Sequence, residues 1–292
     1  MKFLIVTADD FGLHAAVNSA VELAAREGVL TTASLMVGAP AVEDAVRRAR
    51  DLPDLAVGLH LVLADGWSVL PQRSIPALVD SQGRFGNNMV RDGVRFFALP
   101  AVRRQLEAEI RAQFQAFADS GLPLDHVNAH KHFHLHPTLL EMLLRIGSEF
   151  GVPAVRLPRE PAWVARRTGG AIAGPAVAGL VSPWLAIMRR RLRAARIAHN
   201  DYVFGLSDSG AMDEARLLEI LGRLPEGVTE IYLHPGVESG AAIAPSMTGY
   251  RHAEELAALL SPRVRAAIAA CGAQTGGFRR LSATGPTERR AA

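Results

Sequence analysis

The chain has 292 residues, of which 49% are hydrophobic and 21% are charged, and it contains a single cysteine. This length is enough for one large domain or two ordinary ones, with a core that needs no covalent cross-links. One cysteine excludes an internal disulfide bond and a zinc site built from several cysteines. Asp9 and Asp10 interrupt the apolar run after Met1 before it is long enough for a secretory signal peptide, so we expect a cytoplasmic protein.

The basic charge is unevenly distributed along the chain. The net charge is +3 and the pI is about 9.5. Residues 161–200 contain seven arginines and no acid, and residues 276–292 contain four arginines and one acid, which leaves a net charge of −7 on the rest. Because the basic charge is confined to two segments and aromatic residues make up only 6% of the chain, we expect no nucleic-acid partner.

Apolar runs typical of buried strands alternate with segments of helical periodicity. The predicted strands cover 4–8, 33–37, 55–63, 126–130, 154–157, 201–205 and 229–234. The predicted helices cover 15–27, 41–50, 102–119, 137–150, 213–223 and 251–270. Parallel strands need crossover connections, so this alternation predicts about seven parallel strands in one β/α domain over residues 1–275. We expect a flexible basic tail over 276–292.

A closed β/α barrel and an open doubly wound sheet both fit this order of elements. No glycine-rich dinucleotide motif follows the first strand, and neither of the two lysines, Lys2 and Lys131, lies in a phosphate-binding loop motif. Polar residues instead follow several strands, at the ends where a barrel carries its active site. These residues are Asp9, Asp10, His60, His130 and His234. The sequence therefore favours a distorted TIM-like (β/α) barrel.

The segment 161–200 interrupts the alternation of strands and helices. It has no charged residue between 168 and 188, which raises the question of a membrane span. Four glycines and two prolines in that stretch argue against a continuous span. We predict an apolar insertion whose arginine-rich helix, 189–196, lies over the barrel opening or makes peripheral contact with a membrane. The alternative is an ordinary packed excursion with a solvated arginine face.

Two adjacent carboxylates, Asp9 and Asp10, end the first predicted strand. Buried neighbouring acids need a positive partner such as a metal ion. Adjacent strand residues point to opposite sides, so one acid could bind the metal while the other acts on a water molecule. A turn followed by a helix cap is the alternative. His60 lies in an apolar run and, taken alone, fits a buried core histidine.

Five of the ten histidines fall between residues 126 and 136, a density that no hydrophobic core requires. Alternate residues of an extended strand are about 6.5–7 Å apart, so at most two neighbours can share an ion and other ligands must come from elsewhere. Asp10, His60 and His130 could meet at one end of a barrel as a site of two histidines and one carboxylate. We expect one divalent ion there: magnesium, zinc or another first-row metal.

Two further residues complete the candidate site. His234 ends the last predicted strand, and the unperturbed pKa of histidine, about 6.5, suits a general acid. Arg156 is a candidate partner that holds Asp9 ionised, although a surface arginine fits the sequence equally well. The chain has no nucleophile-elbow serine motif, and Cys271 lies far along the chain from these motifs, so serine or cysteine nucleophiles are not supported.

Several of these motifs, in this order, resemble the YdjC/ChbG-type carbohydrate deacetylases. They are TADDFG at 7–12, VGLHLVL at 57–63, NAHKHFHLHP at 128–137, VRLPRE at 155–160 and YLHPG at 232–236. ASLMVGAP, GVRFFALP and the apolar–arginine insertion are similar to the hopanoid-biosynthesis-associated subgroup, HpnK. The resemblance runs from residue 2 to about residue 260. Relatives often have an acid-led DSH or DGH where this chain has Asn128-Ala129.

The resemblance implies a TIM-like barrel, a homodimer, and hydrolysis of the N-acetyl group from an N-acetylglucosamine-type amino sugar. For the subgroup, the implied substrate is the headgroup of a hopanoid glycolipid, N-acetylglucosaminyl bacteriohopanetetrol; soluble chitooligosaccharides are the alternative. The implied site consists of Asp9 as catalytic base and, as metal ligands, Asp10, His60 and His130. Whether His132 or His134 contacts the metal or the sugar stays open.

Two other classes of protein are compatible with the sequence. A metal-dependent phosphoesterase on a β/α barrel would release phosphate rather than acetate. A non-catalytic sugar- or lipid-binding protein would not need the whole set of acids and histidines. If the protein is a deacetylase, as the resemblance implies, its expected partner is an amino-sugar or glycolipid substrate.

Overall fold

The computed structural model describes residues 1–161, 163–164, 175–239 and 242–283. The strands are β1 (Lys2–Phe11), β2 (Thr32–Leu35), β3 (Ala56–Leu61), β4 (Leu124–Ala129), β5 (Tyr202–Phe204), β6 (Gly227–Leu233) and β7 (Gln274–Thr275). The helices are α1 (Ala15–Glu27), α2 (Val42–Arg50), α3 (Met89–Ala98), α4 (Pro100–Asp119), α5 (Pro137–Glu149), α6 (Pro175–Ala194), α7 (Glu214–Gly222), α8 (His252–Leu260), α9 (Pro262–Ala270) and α10 (Arg279–Ala283).

The strands form one parallel sheet in the order β4–β3–β2–β1–β6–β5, and β7 pairs with the start of β1. An extended segment, residues 154–159, lies between the two edge strands, β4 and β5, and bonds to both. Val127 donates its N–H to the carbonyl of Ala154, and Arg156 donates to the carbonyl of Val127. On the other side, Val203 of β5 donates to the carbonyl of Arg159. The sheet thereby curls into the distorted TIM-like barrel that the alternation of strands and helices predicts.

Several elements differ from the sequence-based expectation. The predicted helix over 251–270 is two helices, α8 and α9, because Ser261 is extended and Pro262 begins a new helix. The predicted strand at 154–157 makes only isolated bridges, so it is an extended connection rather than a regular strand. Helix α3 lies between the predicted strand at 55–63 and the predicted helix at 102–119, where the sequence pattern indicated neither a strand nor a helix. Three of its apolar residues, Val90, Val94 and Phe97, face solvent. A helix is recognised in a sequence when its apolar residues share one buried face, and these three do not.

The barrel interior changes from apolar to polar along its axis. Because alternate residues of a strand face inward, each strand contributes to successive layers. At the amino-terminal end, Phe278 is fully buried beside Ile5, Ala154 and Val228 and closes the lumen. Toward the carboxyl ends of the strands, which we call the mouth, the inward side chains are acids, histidines and amides. The polar interior therefore begins above an apolar plug.

The carboxyl-terminal segment packs against the barrel. A flexible tail was expected from residue 276 onward, but Phe278 and Leu281 bury their side chains in one cluster with Ile5 and Val228. The packed domain therefore extends past residue 275, because these two side chains remove apolar surface from water. Residues 284–292 lie outside the described part of the chain.

The described part of the predicted insertion is mainly helix α6. Its Trp184 donates the indole N–H to the carbonyl of Leu135 at 2.7 Å, while Met188 and Leu192 are fully buried. The helix therefore contacts the histidine loop, residues 130–136, at the mouth. The first seven residues of the uncharged stretch, 168–174, lie outside the described residues, as do 162 and 165–167. Within the described ranges, no helix has the length and apolar character needed to cross a membrane.

Candidate metal centre

A β-bulge at the end of β1 brings two carboxylates to the mouth. Between its paired residues Ala8 and Phe11, β1 has two residues where β2 has one. The second of them, Asp10, has φ 64°, a backbone region that residues other than glycine rarely adopt. Such a bulge re-aims side chains. Asp9 points to the buried guanidinium described below, whereas Asp10 points to the histidines at the mouth.

Asp10, His60 and His130 lie together at the mouth, where the sequence predicted a metal site. Oδ1 of Asp10 is 3.0 Å from Nδ1 of His130 and 3.3 Å from Nε2 of His60. The three possible ligand atoms lie within 4.8 Å of one another, and all three residues are buried. Oδ2 of Asp10 is buried and has no hydrogen-bond partner. An unpartnered carboxylate oxygen beside two imidazoles is a donor set that fits a divalent ion.

Arg156 holds Asp9 in a buried ion pair. Its Nη1 is 2.6 Å from Oδ2 of Asp9, and its Nη2 is 2.9 Å from Oδ1. On its other side, Arg156 donates to both carboxylate oxygens of Glu230, at 2.7 and 2.9 Å. The centre thus has three buried carboxylates against one guanidinium. A divalent ion at Asp10 would neutralise this excess of negative charge.

Both aspartates are held in the ionised form. Burial by itself raises the pKa of Asp9, but the charge of Arg156, with smaller contributions from His60 and His234, holds that pKa well below its ordinary value. Burial also acts on Asp10, whose pKa is nevertheless lowered by His130 and His60. Asp9 is therefore an oriented but weakly basic proton acceptor. A molecule can give its proton to Asp9 only if the pKa of that molecule is itself lowered.

His234 faces Asp10 from the end of β6. Its Nε2 lies 3.9 Å from Oδ2 of Asp10, too far for a hydrogen bond. The ring is flanked by Tyr232 and Tyr250, with ring centroids 5.6 and 5.0 Å away, and its backbone carbonyl accepts a hydrogen bond from His252. The imidazole is thereby fixed by its neighbours while Nε2 stays available to a ligand bound beside Asp10.

His132 and His134 are not part of the cluster around Asp10. His134 donates from Nε2 to the carbonyl of Arg156 at 3.0 Å, and burial lowers its pKa to about 3. Nε2 of His132 is 3.0 Å from the hydroxyl of Tyr232, and burial, followed by the charge of Arg156, lowers its pKa well below the ordinary value. Both rings are therefore neutral at physiological pH and attach the histidine loop to the barrel wall.

The lowered pKa of His134 predicts how stability depends on pH. The unfolded chain binds a proton at this residue near pH 6.5, whereas the folded chain does not until about pH 3. The stability that the neutral ring provides is present above pH 6.5 and is lost as the pH falls toward 3. In urea titrations with chelator present, we expect His134→Gln to reduce this pH dependence by up to about 1.4 kcal/mol per pH unit. An unchanged slope in the variant would contradict the assignment.

Glu230 and Tyr232 are not among the residues predicted for the site, although the strand pattern contains a signal for them. Residues 230, 232 and 234 alternate along one predicted strand and so share a face. If His234 faces the site, Glu230 must face the lumen as well. A carboxylate at a lumen position requires a buried cation, and Arg156 fills that role.

The chain matches the family model described as YdjC-like protein over residues 3–270. It belongs to this family. Relatives of this YdjC-like chain include a carbohydrate deacetylase of Geobacillus stearothermophilus, 30% identical over 94% of this chain and 95% of the relative. A chitooligosaccharide deacetylase of Serratia marcescens is 30% identical over 96% of this chain and 99% of the relative. A carbohydrate deacetylase of Brevibacillus brevis is 42% identical, but over only 53% of this chain and 59% of the relative.

A solved structure supports the barrel of this YdjC-like chain. The crystal structure of an Enterococcus faecalis V583 protein superposes with a TM-score of 0.74 at 25% identity. The match covers 96% of this chain and 98% of the other. The family expected from the motifs is therefore confirmed. Neither the family match nor these relatives distinguish a hopanoid-associated subgroup.

Proposed function

We propose that this YdjC-like protein is a metal-dependent deacetylase that hydrolyses the N-acetyl group of an amino sugar. The observation that carries the proposal is the cluster of Asp10, His60 and His130, with Asp9 held by Arg156 directly beside it. Support also comes from relatives of nearly full length that are named carbohydrate and chitooligosaccharide deacetylases. Amide hydrolysis needs an electrophile, a proton acceptor and a proton donor, and the mouth provides groups suited to each role.

The residues of the chain divide the proton transfers between them. A divalent ion held by Asp10 and the two histidines would supply the positive charge that polarises the acetyl carbonyl and acidifies the attacking water. Asp9 takes one proton from this water, and Arg156 keeps its carboxylate ionised and aimed. His234 gives a proton to the amine nitrogen as the C–N bond breaks. Acetate leaves with the oxygen of the water, and the sugar keeps a free amine.

Removal of the metal tests this proposal directly. Purified protein incubated with diacetylchitobiose should release acetate, and a chelator should abolish the release because the carbonyl is no longer polarised. Addition of Zn²⁺ or Mg²⁺ in excess of the chelator should restore it. Acetate release that is insensitive to chelator would contradict the proposal. Release of phosphate from sugar phosphates, without deacetylation, would favour the phosphoesterase alternative.

We further propose that the natural substrate is a glycolipid headgroup, N-acetylglucosaminyl bacteriohopanetetrol, rather than a soluble chitooligosaccharide. The support is apolar surface beside the mouth. Helix α3 packs Phe96 against Phe133 of the histidine loop and exposes 69% of Phe97. Helix α6, which contacts the same loop through Trp184, exposes 47% of Ile187. Exposed apolar side chains around a site suit a lipid or a membrane surface.

Two surface substitutions separate the glycolipid from the soluble substrate. Phe97→Gln combined with Ile187→Gln should raise KM for the glycolipid about 10-fold, which corresponds to the loss of one buried apolar contact of about 1.5 kcal/mol. Diacetylchitobiose lacks a lipid part and serves as the internal control, so its KM should not change. An equal effect on the two substrates would remove the lipid contact from the proposal.

A further inference from the structure

A chain of buried hydrogen bonds crosses the barrel lumen beneath the metal centre. It begins at Asp125, which accepts the backbone N–H groups of Phe278 and Arg279 at 3.0 and 2.9 Å. Oδ2 of Asp125 is also 3.0 Å from Nδ1 of His126. Nε2 of His126 is in turn 3.1 Å from Oγ of Ser34 on the facing strand β2. We call Asp125, His126 and Ser34 the lumen relay.

Asn128 connects the lumen relay to a metal ligand. One of its two amide atoms lies 2.9 Å from Oγ of Ser34, and the other lies 2.5 Å from Nδ1 of His60. The opposite nitrogen of His60, Nε2, is the one that faces Asp10. Asn128 and Ser34 are fully buried, so no water competes for these bonds. The proton on His60 is thus governed by atoms on the side of the ring away from the ion.

The donors and acceptors of the relay run in one direction. Because the carboxylate of Asp125 can only accept, the proton of a neutral His126 lies on Nδ1 and its Nε2 accepts from the hydroxyl of Ser34. Oγ of Ser34 then offers only lone pairs, so the amide NH₂ of Asn128 must face it. The amide oxygen of Asn128 consequently accepts from Nδ1–H of His60. Nε2 of His60 keeps its lone pair, which is the form that binds a metal.

The opposite orientation of the Asn128 amide would have the reverse effect. Its oxygen would then accept from the hydroxyl of Ser34 at 2.9 Å and lie 3.1 and 3.0 Å from Nη1 and Nη2 of Arg156, and its NH₂ would donate to Nδ1 of His60. Nε2 of a neutral His126 would then lose the hydroxyl of Ser34 as its donor. His60 would direct an N–H group rather than a lone pair at the metal position. Arg156, however, already directs four of its five N–H bonds at Asp9 and Glu230. Arg156 thus has one N–H bond left, on Nη1, for the oxygen of Asn128. The lumen relay favours the other orientation of the amide, in which its NH₂ faces Ser34.

We propose that Asn128 is a positioning residue whose amide orientation, set by the lumen relay, keeps the proton of His60 on Nδ1 and presents Nε2 to the metal ion. The inference rests on the metal centre of the proposed function and adds residues that touch neither the ion nor the substrate. Hydrogen bonds to the non-ligating nitrogen of a metal-bound histidine typically change metal affinity by 10–100-fold. The same range is expected here.

Metal affinity tests the proposal without measuring activity. Ser34→Ala removes the hydroxyl that orients Asn128, and we expect the Kd for Zn²⁺, measured by competition with a chelating dye, to rise about 10-fold. Asn128→Leu should raise it by up to about 100-fold, whereas Asn128→Asp keeps an acceptor for His60 and should bind Zn²⁺ at least as tightly as the parent protein. Thr229→Val is the matched control, because it removes a buried hydroxyl of β6 that has no partner.

The tautomer of His60 gives a second readout that a purely structural role would not move. Long-range ¹H–¹⁵N spectra of the Zn²⁺-loaded protein should show the proton of His60 on Nδ1. Coordination through Nδ1 would overturn the proposal, as would an unchanged Kd in Ser34→Ala and Asn128→Leu. If Asn128→Leu does not fold, Ser34→Ala and Asn128→Asp still decide. A parent protein that binds no divalent ion would overturn the proposed function as well, so the two failures are distinguishable.

Discussion

Replacement of Asp9 by asparagine is expected to lower kcat for acetate release by about 10²–10⁴-fold while the metal ion stays bound. The amide has the shape of the carboxylate but cannot accept the proton of the attacking water. Asp9 is not one of the three clustered ligands, and both of its oxygens are engaged by Arg156. The substitution should therefore affect proton transfer more than metal or substrate binding, and KM should change little.

Metal content and kcat must be measured on the same preparation of Asp9→Asn. Asp10→Asn is the matched control, because the same chemical change at a proposed ligand should lower metal affinity as well as kcat. Loss of bound metal from Asp9→Asn would mean that Asp9 is itself a ligand. A kcat close to that of the parent protein would mean that another group accepts the proton.

Replacement of Arg156 by methionine is expected to lower the free energy of unfolding by about 3–5 kcal/mol. The guanidinium is the shared partner of Asp9 and Glu230, and all three side chains are buried. Without it, two carboxylates remain in the barrel without a counter-charge. Arg156→Lys keeps one positive charge but loses the paired geometry, so its effect should be smaller.

Urea denaturation in the presence of chelator measures this loss without interference from bound metal. Arg111→Met is the control, because Arg111 makes a similar two-point pair with Glu149 on the exposed surface. An exposed pair contributes at most about 1 kcal/mol. If the free energy of unfolding fell equally in Arg156→Met and Arg111→Met, the buried ion pair would contribute no more to stability than the exposed one.

Much of the fold and the three clustered residues could be predicted from the sequence, because both follow from local patterns. Buried parallel strands are short apolar runs, and a barrel collects the residues at their carboxyl ends in one place. Asp10, His60 and His130 each stand at such an end, so their meeting needs no knowledge of long-range packing. Helix α3 was missed because three of its apolar side chains, Val90, Val94 and Phe97, face solvent, so its apolar residues do not form one buried stripe.

The lumen relay could not be predicted, because it depends on register rather than on residue type. Ser34 and His126 are 92 residues apart and meet only when their strands adopt the observed pairing through β3. A one-residue shift in that pairing would turn either side chain away from the lumen. The role of Arg156 was likewise undecided, since a surface arginine and a buried one look the same in a sequence without the position of Glu230.

The plug at the amino-terminal end of the barrel has a consequence for biosynthesis. All three proposed ligands have been synthesised once residue 130 has been translated. The backbone N–H groups that bind Asp125, however, come 153 and 154 residues after Asp125 in the chain. A ribosome-bound chain that lacks Phe278 and Arg279 has every ligand but no anchor for the relay. We therefore expect the nascent polypeptide to acquire its full affinity for the ion only after residues 278 and 279 have been translated and can donate to Asp125.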